Sequence, residues 1–141
     1  MSTNQLAALA RTAEPQLMLR RFLALDAVVT GANALAYLAF AGPLGRFLGA
    51  GSGLLLGLGA FLAVYAVGVA LAASRRRPPA LAVRVIVEAN LAWAAVSFAA
   101  LALWLTPTTA GAVWTVLQAL TVAGFALLQY VALRQRQDNS V

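Results

Sequence analysis

Four apolar runs of about 20 residues each, set apart by short polar connectors, constrain this chain more than any other feature. They cover roughly Phe22–Ala41, Gly53–Ala73, Val85–Leu105 and Ala112–Leu133. At ~1.5 Å per residue, a helix of that length spans the ~30 Å hydrocarbon core of a bilayer. A helix also satisfies its own backbone polar groups, as lipid demands. Strands are a poor fit, because the runs are rich in Ala and Leu and lack strict alternation. Charged residues make up 10% of the chain and hydrophobic ones 62%; a soluble domain carries about 25% charged residues. The expected fold is all-α, an integral-membrane four-helix transmembrane bundle. Residues 1–21 form an N-terminal segment, 22–133 the transmembrane domain and 134–141 a polar tail.

The connectors carry their own signals. Ala41–Gly53, AGPLGRFLGAGSG, reads as a Gly- and Pro-rich loop. Ser74–Ala80, SRRRPPA, is a charged turn through a Pro-Pro pair, and Thr106–Gly111, TPTTAG, is a short polar turn. Ahead of the first run, Leu6, Leu9, Ala13 and Leu17 share a rough helical face that Pro15 is expected to interrupt.

All ten basic residues are arginine. Arg11, Arg20, Arg21, Arg75, Arg76, Arg77, Arg84, Arg134 and Arg136 fall on one side of a four-pass topology, and only Arg46 falls on the other. By the positive-inside rule both termini are cytoplasmic. The same clustering at the ends of apolar runs excludes a nucleic-acid face, which a +6 balance might otherwise suggest. Arg20-Arg21-Phe22-Leu23 followed by Ala39-Phe40-Ala41 has elements of a twin-arginine export signal. The Phe-Leu pair comes too early for that motif and the run carries Asp26, so the segment reads as an uncleaved first helix. The Ala-, Gly- and Arg-rich, Lys-free composition suggests a bacterial source, and with the apolar runs the expected location is the inner membrane.

The absence of cysteine and histidine excludes disulfides, thiolate chemistry and zinc–thiolate sites, and removes the commonest metal ligand and general base. No metal or other cofactor is expected. Four acidic residues remain: Glu14, Asp26, Glu88 and Asp138.

Two of these acids lie inside apolar runs. At ~100° per residue, Asp26, Thr30, Asn33 and Tyr37 fall within a ~60° wedge of the first helix. Such a stripe faces neighbouring helices or a wet cavity rather than lipid. Glu88 lies one turn after Arg84 at the corresponding depth of the third helix, with Asn90 ~200° away from it. Asn90, Trp93, Ser97 and Trp104 mark a second face of that helix. Trp114, Gln118, Thr121 and Phe125 line up on the fourth, with Gln129 near its inner end.

Asp26 and Glu88 are the candidate catalytic pair, since two carboxylates in a low-dielectric site can be split into one acid and one base. Thr30, Asn33, Tyr37, Asn90, Trp93 and Gln118 are the candidate ligand-binding residues. The competing structural reading makes all of them interhelical hydrogen bonds and Arg84–Glu88 an i,i+4 ion pair. Gly53 and Gly57 form a GxxxG pattern that Ala60, Val64 and Gly68 extend, for contact within the bundle or for a homodimer seam. Trp104, Trp114 and Tyr130 read as interfacial anchors. Ala32–Tyr37 and Ala89–Trp93 share a gapped pattern, as two related hairpins would.

The layout resembles the small four-helix bacterial membrane proteins grouped as DoxX-like. The resemblance rests on size, on both ends lying on one side, and on Ala-Gly-Pro-Leu-Gly (Ala41–Gly45) closing the first helix. It extends loosely over the whole chain and includes no catalytic motif, so it transfers no site residue. Small multidrug exporters also have four helices and a carboxylate in the first, but the arginine bias and flanking residues here differ. The leading expectation is a small non-enzymatic inner-membrane protein that binds lipid, an apolar small molecule or a membrane partner. The alternatives are a membrane-embedded isomerase or cyclase using Asp26 and Glu88, and a small proton-coupled exporter. Alkaline phosphatase fused after Val141 is expected to be inactive and the same reporter inserted after Gly49 active, which tests the orientation directly.

Overall fold

A computed structural model describes residues 2–103 and 105–139, with side chains for all of these except 6–13 and 139. Trp104, one of the expected interfacial anchors, lies outside the described residues. The chain runs α1 (Thr3–Ala39), α2 (Ala41–Leu48), α3 (Ser52–Ser74), α4 (Ala80–Leu103) and α5 (Thr109–Asn139). Among the described residues there is no strand, and four helices are long and apolar enough to cross a membrane: Glu14–Ala39, Ser52–Ser74, Ala80–Leu103 and Thr109–Asp138. Pro78-Pro79 stops α3 from continuing and places the turn, because proline lacks the N–H and restricts the residue before it.

α1 packs mainly on α3, and α4 on α5; the α1–α5 contact joins the two pairs, while α3 and α4 barely touch. The core divides accordingly. At the arginine-rich end, Leu19, Leu23, Val69, Val83, Ile86 and Leu133 from all four long helices close a tight cluster. At the α2 end, Ala34, Tyr37, Ala41, Leu55 and Leu62 form a second one built from α1, α2 and α3.

Four features depart from the sequence reading. First, Thr3 onward does not form a separate lead-in interrupted at Pro15: α1 runs unbroken through that proline. Its start is secured by a capping box, in which Ser2 Oγ accepts from the Gln5 N–H (3.2 Å) and Gln5 Oε1 accepts from the Ser2 N–H (2.9 Å). Pro15 itself is buried, so packing offsets the one backbone bond it forfeits.

Second, the expected loop Ala41–Gly53 contains α2. Ala41, Gly45 and Leu48 lie at i, i+4 and i+7 and are buried together, and Pro43 sits in the first turn, where its missing N–H costs nothing. α2 ends at Gly49 in the left-handed conformation (φ 72°). This end docks on the α4–α5 turn: the Thr108 N–H donates to the Leu48 carbonyl (3.3 Å) and Thr108 Oγ1 donates to the Phe47 carbonyl (2.7 Å). A side chain at Gly111 would run into the Leu48 carbonyl.

Third, the polar tail is helical to Asn139. Arg136 is buried and donates through Nη1 to the Pro78 carbonyl and to Gln16 Oε1, tying α5 to the α3–α4 turn and to α1. Arg20 Nε adds a bond to the Ala73 carbonyl at the end of α3 (3.2 Å).

Fourth, the Gly53/Gly57 pattern makes no contact within the bundle. A Cβ at either glycine, or at Gly68, would meet nothing within 4 Å. The close helix approach occurs at Gly59, where a Cβ would lie 2.9 Å from Leu38 and 3.1 Å from Tyr37.

These glycines separate by experiment. Gly111→Ala is expected to lower stability by ~1–3 kcal/mol through overpacking against Leu48, whereas Gly68→Ala leaves it unchanged. Thermal unfolding of both variants in detergent checks the contrast.

Candidate functional site

The polar stripe of α1 meets polar groups from each of the other long helices. Asp26 is fully buried (0% exposed). Its Oδ1 accepts from Thr30 Oγ1 (3.0 Å), one turn along the same helix. Its Oδ2 accepts from Asn90 Nδ2 on α4 (2.8 Å) and from Gln129 Nε2 on α5 (2.9 Å). Asn90 Nδ2 also donates to Gln129 Oε1 (3.2 Å), and Asn90 Oδ1 accepts from the Tyr65 hydroxyl of α3 (3.0 Å). Each of these partners is uncharged, and the network gives the buried amide and carboxylate groups partners within the bundle. All four long helices thus share one connected set of hydrogen bonds.

The expected acid/base pair is not assembled. Asn90 is the residue of α4 that reaches Asp26, and Glu88 lies ~200° around that helix, exposed on the outer surface. The expected Arg84–Glu88 ion pair does not form either: both side chains line an outer groove without bonding one another. The second carboxylate therefore has no part in the interior site.

Nearer the α2 end a second polar layer forms. Trp93 Nε1 donates to Gln118 Oε1 (2.6 Å), and Gln118 Nε2 donates to Ser97 Oγ (3.0 Å). Trp114 Nε1 donates to the Tyr37 hydroxyl (2.7 Å), joining α5 to α1. Tyr37, Trp93, Trp114 and Gln118 are thereby held at fixed angles. The Trp93 ring is nearly parallel to Phe61 of α3 (6.0 Å, 2°), and Phe61 to Tyr65 (6.2 Å, 13°), an offset-stacked ladder along the α3–α4 seam.

Between the two polar layers lies a cavity of about 670 Å³, within the range of small-molecule sites. Its walls are mostly apolar and aromatic. Thr30, Asn33 and Asn90 line one end, and Trp93, Trp114 and Gln118 the other. Phe61 on α3 and Ala92 and Val96 on α4 line it and are also exposed, so it opens at the bundle surface along the weakly packed α3–α4 seam. Asn33 lines this space and its amide has no partner among the described residues, unlike the other polar groups around it.

Of the candidate residues, Asp26, Thr30 and Asn90 come together in the network, Asn33 stands alone on the cavity, and Tyr37, Trp93 and Gln118 build the far layer. Two participants, Gln129 and Tyr65, are not among the candidates that the sequence offers. Gln129 stands in the sequence as a lone amide near the inner end of an apolar run, and nothing in the residues around Tyr65 marks its hydroxyl as part of a network. No family model, curated protein or solved structure matches the chain.

The weight of the network is measurable. Asp26→Ala strands three buried donors and is expected to cost about 2–4 kcal/mol, while Thr30→Val, which removes one bond, costs roughly 0.5–1.5 kcal/mol. Denaturation of both variants in mixed micelles reads the difference.

Proposed function

We propose that this protein is a multi-pass protein of a bacterial inner membrane, with both termini in the cytoplasm, that holds an apolar small molecule or a single lipid chain inside its bundle. The observation that carries the reading is the Asn33 amide, which has no partner among the described residues and lines the wall of a 670 Å³, mostly apolar cavity. A polar group facing an apolar space is costly without a partner, and a ligand with one alcohol or carbonyl oxygen supplies it. The rest of the cavity favours an apolar body, and the α3–α4 seam offers a route from the lipid phase that never crosses water.

No carboxylate lines the cavity among the described residues; Asp26 is fully buried behind Thr30 and Asn90, and its oxygens are occupied by Thr30, Asn90 and Gln129. That arrangement supports binding over acid/base turnover. It leaves proton-coupled export as a reading that flux measurements in liposomes would have to establish.

Native mass spectrometry of gently extracted protein tests the binding reading. A discrete bound mass is expected on the wild type. Asn33→Ala should weaken its retention about fivefold, the loss of roughly one hydrogen bond. Ala92→Trp, at the exposed mouth, should abolish it. A wild type that carries no bound mass, or a mass indifferent to both substitutions, overturns the proposal.

A further inference from the structure

Arg136 is the one buried arginine among the described residues, 6% exposed beside the α3–α4 turn. Its Nη1 makes both of its hydrogen bonds, to the Pro78 carbonyl and to Gln16 Oε1 (3.1 Å). Nε and Nη2 have no partner among the described residues, and Nε is shut off from solvent as well. Those two nitrogens form the guanidinium edge that donates two parallel N–H bonds to a pair of oxygens. The protein thus ties α5 to the turn through Nη1 and leaves this bidentate edge empty.

The charge is uncompensated too. No carboxylate of a described residue pairs with Arg136, and the charge that acts on it is that of Arg77, another cation. Arg77 directly precedes Pro78, is exposed and hydrogen-bonds to no described residue. A buried guanidinium with an unpaired donor and a second cation beside it is costly unless an anion joins them.

We infer that Arg136 and Arg77 form a binding site for a phosphate group at the α3–α4 turn, entered from the Arg77 side. The free edge of Arg136 takes two oxygens and Arg77 takes a third. A tetrahedral phosphate presents three oxygens to two cations; a planar carboxylate has only the two that one guanidinium already uses. A phospholipid headgroup and a soluble phosphate share this chemistry. The site lies past Leu133, the last core residue of α5, among arginines placed to reach the bilayer interface, where either source is at hand. The inference is independent of the interior cavity and of its ligand.

The test has two arms, both on the full chain. In detergent, inorganic phosphate is expected to raise the melting temperature by roughly 2–5 °C over chloride at equal ionic strength. From vesicles containing phosphatidylglycerol, native mass spectrometry reads any retained lipid. Arg77→Gln should weaken binding about fivefold, and its exposure keeps the fold intact. Arg136→Lys keeps a charge and a donor for the Pro78 carbonyl but has no bidentate edge, and it should weaken binding as much. Arg76→Gln, in the same turn, should leave it unchanged. Retained phosphatidylglycerol that needs Arg77 and Arg136 identifies a lipid headgroup as the source; protection by phosphate without such a lipid identifies a soluble one. The site is overturned if neither arm depends on Arg77, or if Arg76→Gln loses as much as Arg77→Gln, the behaviour of a diffuse basic surface.

Discussion

The structure depends on one buried carboxylate and the uncharged groups that surround it. Asp26 has no water to turn to at its depth in the bundle, so its oxygens must find donors on neighbouring helices. Thr30, Asn90 and Gln129 supply them, and Tyr65 completes Asn90. Apolar packing alone drives helix association weakly in lipid, because acyl chains are as apolar as leucine. A directed network selects one rotation and one depth for each helix, since shifting any of them by a turn would strand a polar group. It also compensates for the thin α3–α4 contact, which Tyr65 and the Phe61–Trp93 stack bridge.

The cavity follows from the same network. Between Asp26 and the Trp93–Gln118 layer, the bundle is braced at two levels by hydrogen bonds and left open between them. Apolar side chains alone would tend to collapse such a space, because a void forfeits dispersion contacts on its lining. Rings held by Trp93–Gln118 and Trp114–Tyr37 cannot tilt inward without breaking those bonds. The opening also lies on the seam with the least packing to lose.

The two ends of the molecule are secured differently. At the arginine-rich end, guanidinium groups cap carbonyls that the helices leave unsatisfied: Arg20 takes that of Ala73, and Arg136 that of Pro78. At the other end there is little charge, and glycines do the work. Gly49 and Gly111 let α2 and the α4–α5 turn approach backbone to backbone. A small amphipathic helix thus covers the end of the bundle beyond the cavity.

Much of this was legible in the sequence because it depends on local periodicity. The apolar runs specify four long helices, and the spacing of Asp26, Thr30, Asn33 and Tyr37 places them on one interior stripe. The i, i+2 offset of Glu88 and Asn90 already required that only one of them face inward. Other features depend on residues distant in the chain. Nothing local distinguishes Gln129 from an isolated polar residue, or Arg136 from a solvated tail, until α1, α4 and the α3–α4 turn bring partners to them. Nor does a pattern of glycines say whether its close neighbour is another helix, as at Gly59, or nothing, as at Gly53 and Gly57. The sequence by itself determined the number of long apolar helices and the inward stripe of the first, because those follow from burial of apolar surface at a 3.6-residue period. Tertiary structure alone decided that Asp26 pairs with Asn90 and Gln129 rather than with Glu88, and that a cavity remains, because both depend on which helices become neighbours.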